Sequence, residues 1–361
     1  MTKETPYFAD HALVKRVDTP WGARCIEASY DGFDARLDGY KCVIVLDTVR
    51  ERADSGWDAS NYRLTTMIVR FPRCILSEMN THRVFSRNSA SSRARSLKTT
   101  IKQVLEDPYI PLFTENAKGM AGPYITDEDQ LAMAKEEWLD ARDSAVKHAL
   151  RMLLGDTMDH VDYDPYELVD TYYEEFYGKE HEGSCIPNVH KQTVNRLLEP
   201  FMMHEMLITS SYWENFFKLR MDEAAQPEIQ AIATLMFEAM NASVPELFPE
   251  HIPFVKREHH TSLRALFHDL KKSAAECARI SYVDRSTAGN KDGAEALAMR
   301  LLSKGHMSPF EHQAIDPDIY RTLSPGGEFA LSTVGLHGNL DPSWVQGRHI
   351  FEIQMGEESH V

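Results

Sequence analysis

The chain has 361 residues, of which 43% are apolar and 26% charged, as is ordinary for a folded soluble protein. Its formal net charge of −16 argues against a partner bound by phosphate neutralisation along its length, such as duplex DNA. A mononucleotide is not excluded, because a few local arginines can outweigh a distant acidic surface. The five cysteines are scattered without a CxxC pair, and no stretch is typical of a signal peptide or a membrane span. We therefore expect a cytoplasmic protein.

The first third of the chain predicts strands followed by a helix. Short runs rich in β-branched residues predict strands at 41–47 and 62–71. Pro72 then predicts the start of a helix over 73–85, where apolar residues recur at helical spacing.

Helical patterns dominate the remainder. Thr126 with Asp129 predicts a capping box for a long helix that ends near residue 154. Further predicted helices cover 188–207, 226–242 and 292–304, with a β-like segment at 208–212. The simplest reading is one α/β domain over 1–361 that carries a mainly helical insertion at about 97–187.

A loop rich in arginine and serine follows the first helix, in the sequence THRVFSRNSASSRAR at 81–95. Its four arginines offer planar forks of donors that suit phosphate, and its serines add short neutral donors. The composition is that of a phosphate-binding loop, but on composition alone a solvated basic loop is about equally well supported.

A second segment, GHMSPFEH at 305–312, follows a predicted helix. Ser308 as N-cap, Pro309 at the first helical position and Glu311 in a capping box predict a helix start. That interpretation leaves the two flanking histidines, His306 and His312, unexplained.

Taken together, these segments resemble the motifs of flavin-dependent thymidylate synthases. The pattern THRx7S at 81–91, followed by Arg93, resembles their RHRx7S signature, and GHMSPFEH resembles their HxSPFEH element. ARISY at 278–282 resembles their ARVSY element, and Asn215 with FFKLR and AQPEI resembles their NFLxLR…AQxEI segment. The resemblance implies a small mixed or antiparallel sheet packed with helices, of the thymidylate synthase-complementing type.

The resemblance also implies residue roles. It implies that Arg220 and Ser91 are catalytic. The implied nucleotide-binding residues are Glu78, Ser89, Ser91, Arg93, Arg196 and Arg220. The implied cofactor-binding residues are His82, Arg83, Val84, Asn88, Asn215, His306, Ser308 and Glu311.

The chemistry implied by the resemblance is reductive methylation of dUMP to dTMP. The cofactor would be FAD, with NADPH and methylenetetrahydrofolate as co-substrates, in a homotetramer that needs no enzyme nucleophile. We expect no polymeric nucleic acid and no membrane as partner.

The sequence departs from the family pattern in several places. The ARISY and SPFEH elements follow the THR segment by about two hundred residues instead of preceding it. Glu78, Thr81 and Ser89 stand where the family has glutamine, arginine and glutamate. These changes leave open a different pyrimidine such as dCMP, transfer of a hydroxymethyl group, or a homologue that binds nucleotide without turnover.

A metal hydrolase is a further alternative. His181, Cys185 and His190 have plausible ligand spacing, with His160 nearby, although surface or core histidines explain them more simply.

Overall fold

The computed structural model describes residues 8–18, 24–30, 32, 34–50, 63–118, 122–154, 189–256, 258–280, 293–323 and 336–358. A seven-stranded sheet organises this part of the chain, in the order β1-β2-β3-β4-β6-β5, with β7 paired to β3. Its strands are β1 (Leu13–Asp18), β2 (Arg24–Ser29), β3 (Lys41–Val49), β4 (Arg63–Pro72), β5 (Ser86–Ser89), β6 (Met203–Ser210) and β7 (Glu246–Leu247). All pairs are antiparallel except β3 with β7.

A second, three-stranded sheet lies in the C-terminal part of the chain. It consists of β8 (Glu250–His251), β9 (Ala314–Ile315) and β10 (Val345–Gln346), in the order β10-β9-β8. The structure therefore contains antiparallel sheets packed with helices, which confirms the predicted α/β fold class.

The helices enclose these sheets. They are α1 (Leu76–Asn80), α2 (Leu97–Glu106), α3 (Glu128–Leu154), α4 (Lys191–Val194), α5 (Glu214–Arg220), α6 (Pro227–Ala242), α7 (Leu263–Arg279), α8 (Ala294–Ser303), α9 (Pro317–Leu323) and α10 (Gly347–Glu358). Among the described residues, no helix is both long enough and apolar enough to cross a membrane.

Different elements cover the two faces of the large sheet. Successive side chains of a strand point to opposite faces. Ile208 joins the core cluster that contains α6, whereas its neighbour Leu207 packs with Cys277 of α7 and with Ile280. Helix α6 therefore covers one face, and the end of α7 covers the other.

A chain of buried side chains links the two sheets. Thr48 Oγ1 lies 2.7 Å from His251 Nδ1, and His251 Nε2 lies 2.8 Å from Thr66 Oγ1. The series of hydrogen bonds continues from Thr66 Oγ1 to Thr209 Oγ1 (2.6 Å) and from Thr209 Oγ1 to His312 Nδ1 (2.8 Å). All five side chains are fully buried, so each hydrogen bond replaces one that water would otherwise make. This series, from Thr48 to His312, is called the Thr-His chain below.

Several predicted elements differ from those observed. The helix predicted over 73–85 ends at Asn80, because the chain turns at Thr81–Phe85 before β5. The helix predicted over 188–207 stops early, since Met203–Leu207 pair with β4 as part of β6. The long helix α3 is capped by Asp127, whose carboxylate accepts from Gln130 N, and not by Thr126.

The buried histidines make the stability of the fold depend on pH. Burial lowers the pKa of His251 and of His312 to about 3. Below about pH 6.5 the unfolded chain takes up protons that the folded chain refuses until about pH 3. We therefore expect the free energy of unfolding, measured by urea denaturation, to fall from about pH 6.5 downwards by about 1.4 kcal/mol per pH unit for each histidine. His251→Gln should lower that slope by one such increment, and an unchanged slope would contradict the assignment.

Candidate functional site

The candidate site is built around β5, which lies at one edge of the large sheet. The chain enters β5 through the turn at His82–Phe85, which the aromatic side chains hold. The His82 ring lies edge-on to Phe216, with centroids 4.9 Å apart, and Phe85 packs against Trp213 at 4.8 Å. These contacts place the THR segment beside α5.

Arg220 at the end of α5 reaches this turn directly. Its Nε donates to His82 Nε2 at 2.9 Å, and its Nη2 donates to Thr81 Oγ1 at 3.0 Å. The structure thus brings the predicted catalytic arginine to the THR segment, although the two are far apart in sequence. The hydroxyl of Thr81 can accept from a guanidinium group, which the arginine of the family pattern could not do.

Burial and the neighbouring charge of Arg220 keep His82 unprotonated. Burial, together with the charges of Arg220 and Arg87, lowers the pKa of His82 to about 4. His82 is therefore neutral at pH 7, and its Nε2 is free of a proton and able to accept.

The serine and arginine loop follows β5. Ser91 Oγ accepts from Arg93 N at 3.3 Å, and the side chains of both residues are exposed. The amide of Asn195 donates to the carbonyl of Ser92 at 2.8 Å, which holds the loop next to the exposed Arg196. Arg95 points inward and is buried, hydrogen-bonded to Gln103. Three predicted nucleotide-binding residues, Ser91, Arg93 and Arg196, thus lie on neighbouring segments.

The SPFEH segment packs against β5 from the C-terminal part of the chain. The amide of Asn88 donates to the carbonyl of Cys277 at 3.3 Å, and the 3₁₀ turn Ser308–Glu311 lies against β5. Glu311 pairs with Arg348 (Oε1 to Nη1, 2.6 Å). Burial lowers the pKa of Arg87, and the negative charge of Glu311 opposes this shift. The motif blocks that are far apart in sequence are therefore adjacent in space.

The predicted cap at Ser308 is wrong. Met307 precedes the 3₁₀ turn, no side chain caps it, and the Glu311 carboxylate binds Arg348 instead of the backbone. His312, whose role the sequence left open, points inward and bonds Thr209. His306 is exposed.

The remaining predicted residues lie around the same turn. Arg83 and Val84 are exposed in the turn itself, and Asn215 is exposed in the first turn of α5. Glu78 on α1 is partly buried and accepts from the hydroxyl of Ser77 at 2.7 Å. Ser89, at the end of β5, is also partly buried.

Three residues of the site escaped the sequence analysis. Asn339, Gln346 and Arg348 contact Val84, Ser86 or Glu311, all within the predicted site segments. No spacing pattern in 336–348 marks them, because their role depends on how the C-terminal segment folds back.

The structure gives no support to a metal site in the part of the chain that it describes, where no group of three His, Cys, Asp or Glu side chains could hold an ion. His190 accepts from Gln192 N at the start of α4. The other predicted ligands, His160, His181 and Cys185, lie outside the described residues.

The family model of the thymidylate synthase complementing protein matches residues 60–246, which is more than half of the chain. The chain therefore belongs to this family. The match includes the THR and FFKLR segments and ends before GHMSPFEH. No curated protein sequence matches the chain.

Two solved structures are similar to parts of the chain. One is the UMP/dUMP methylase PolB from Streptomyces cacaoi bound with 5-Br UMP, at 16% identity and a TM-score of 0.34, covering 51% of this chain and 71% of that one. The other is the flavin-dependent thymidylate synthase of Helicobacter pylori complexed with FAD and dUMP, at 15% identity and a TM-score of 0.29, covering 50% and 69%. Overlap this low assigns no ligand to the present chain.

The contact between Arg220 and His82 can be tested by NMR titration of the His82 ring. Because the charge of Arg220 is one cause of the low pKa, Arg220→Met should raise the His82 pKa from about 4 towards 6.5. Lys218→Met, which removes an exposed cation from the same helix, should leave it unchanged. Equal shifts in the two variants would show that the contact is absent in solution.

Proposed function

We propose that the protein is a flavin-dependent methylase of a pyrimidine deoxynucleotide, with dUMP as substrate and dTMP as product. Family membership supports the class of reaction. The observation that carries the proposal is the pair of hydrogen bonds from Arg220 to His82 and Thr81. They join the segment expected at the pyrimidine ring to the segment expected at the flavin.

The surface around the turn fits FAD by its chemistry. Val84 and Tyr212 are exposed apolar side chains at 39% and 40%, and Ser210 Oγ lies 3.2 Å from the carbonyl oxygen of Val84 and 3.4 Å from that of Tyr212. An apolar patch of this kind suits the face of an aromatic ring system, and the exposed guanidinium of Arg83 suits a phosphate. Arg83, Val84, Asn215, Ser308 and Glu311 would hold the cofactor, which supplies hydride when reduced by NADPH.

The nucleotide phosphate would bind at the serine and arginine loop. Arg93 and Arg196 supply guanidinium donors, and Ser91 supplies a hydroxyl that already shapes the turn. Both arginines are exposed, so neither is neutralised by a buried partner in advance. Local positive charge here offsets the acidic balance of the whole chain, which is why a net charge of −16 is compatible with an anionic substrate.

Arg220 would act on the base by charge placement. Two N–H groups of the Arg220 guanidinium are fixed by Thr81 and His82, so the cation is held in one orientation. A fixed cation beside a pyrimidine carbonyl stabilises negative charge that develops on the ring when the one-carbon unit of methylenetetrahydrofolate is transferred. The chain then needs to orient the reactants rather than to attack them.

The flavin can be tested on the purified protein. We expect flavin absorbance in the protein as purified or after addition of FAD, and anaerobic oxidation of the reduced flavin on addition of dUMP with methylenetetrahydrofolate. Mass spectrometry of products from dUMP and from dCMP tests the base, with methyl transfer to dUMP as the expected result. Protein that retains no FAD after the unbound flavin is removed would contradict the proposal. Nucleotide binding without turnover would identify a catalytically inactive homologue.

The division of roles can be tested by Arg93→Ala. Loss of a charge-assisted contact to phosphate should raise the dissociation constant of dUMP roughly tenfold or more, while FAD affinity is kept. Arg16→Ala is the matched control, because Arg16 is exposed on β1 at the opposite edge of the sheet. Calorimetric titration measures both ligands, and equal weakening of both by Arg93→Ala would show that the division is wrong.

A further inference from the structure

The C-terminal segment 345–348 binds the SPFEH segment through backbone and side-chain hydrogen bonds. Strand β10 pairs with β9, with Gln346 opposite Ala314, and Gly347 N donates to the carbonyl of Gln313 at 2.8 Å. A Cβ at Gly347 would lie 3.1 Å from the carbonyl oxygen of Phe310, so glycine permits this close approach. The two segments are therefore in direct backbone contact.

Gln346 connects these contacts to β5. Its Nε2 lies 3.0 Å from the carbonyl of Glu311, 2.8 Å from Asn339 Oδ1 and 3.2 Å from Ser86 Oγ. Ser86 Oγ in turn donates to Asn339 Oδ1 at 3.0 Å. Gln346 is 2% exposed, so water is a poor substitute for these partners. A single buried amide thus ties Glu311 to the first residue of β5.

Arg348 holds the side chain of the same glutamate. Its Nη1 lies 2.6 Å from Glu311 Oε1, and its Nε lies 2.8 Å from Glu352 Oε1. Glu352 lies one turn further along α10, so the guanidinium is held from two sides. The hydrogen bonds that Arg348 donates to Glu352 and Glu311 raise the pKa of its guanidinium. The Glu311 carboxylate is therefore fixed in direction.

We propose that Gln346 and Arg348 are positioning residues of the flavin site, which hold the backbone and the carboxylate of Glu311 in register with Ser86 and Val84. The identity of the ligand rests on the proposed function. The contacts of Gln346 with Ser86 and Glu311, and of Arg348 with Glu311, do not depend on which ligand is bound. Substitution of either residue should therefore weaken flavin binding without removing any group that touches the flavin.

Two variants and two controls test the proposal. Gln346→Leu keeps the buried volume but removes both amide donors, and Arg348→Gln removes the charged fork. Gln230→Leu is the control for the first, because Gln230 is partly buried on α6 and its amide donates to the carbonyl of Asp222 and contacts neither Ser86 nor Glu311. Arg321→Gln is the control for the second, because it breaks an exposed pair with Asp318 on α9.

The first measurement is hydrogen exchange of the protein without flavin, followed by mass spectrometry. Gln346→Leu should speed exchange in peptides from both 84–89 and 308–313, whereas Arg321→Gln should change neither. Unchanged exchange in both peptides would show that Gln346 does not hold the two segments together, whatever the ligand is.

The second measurement is FAD titration by flavin fluorescence. We expect the dissociation constant to rise about tenfold or more for Gln346→Leu and for Arg348→Gln, with partial recovery in Arg348→Lys and little change in the controls. Faster exchange with unchanged FAD affinity would overturn the positioning role. Absence of FAD binding by the unaltered protein would overturn the proposed function and the positioning role together. The exchange data would still show whether Gln346 holds Glu311 and Ser86 together.

Discussion

The hydrogen bond between Thr209 Oγ1 and His312 Nδ1 joins the C-terminal part of the chain to the large sheet. It is the last link of the Thr-His chain, whose members are fully buried and are hydrogen-bonded to one another in series. A buried polar group without a partner is costly, so these side chains fix the register between the two sheets. The position of SPFEH against β5 follows from that register.

The order of motifs in the sequence then matters little for the site. A site needs its groups together in space, and the chain can supply them in any order if each segment returns to the same strand. Two side chains join these segments. Asn88 of β5 donates to the carbonyl of Cys277, and Gln346 bonds both Ser86 of β5 and the carbonyl of Glu311. Arg220 closes the opposite side of the turn through His82. The candidate site is thus a property of the fold around β5.

Much of this could be predicted from the sequence, and the failures have physical reasons. The strands β3 and β4 were predicted because β-branched runs carry a local signal. Residues Met203–Leu207 were misassigned to a helix, since their strand state depends on pairing with β4 rather than on local preference. The motif singles out Arg220, and the structure places it against the THR segment. Gln346 and Arg348 could not be found, because their role arises from tertiary contacts that leave no periodic pattern.

The central claim is that one surface around β5, assembled from both motif blocks, holds the flavin and the nucleotide. A crystal structure of the protein with FAD and dUMP tests it most directly. The account predicts the flavin against Arg83 and Val84 on one side and Ser308 to Glu311 on the other, with the nucleotide phosphate at Ser91 and Arg93. A flavin that contacts only one of the two blocks, or that binds away from β5, would contradict it.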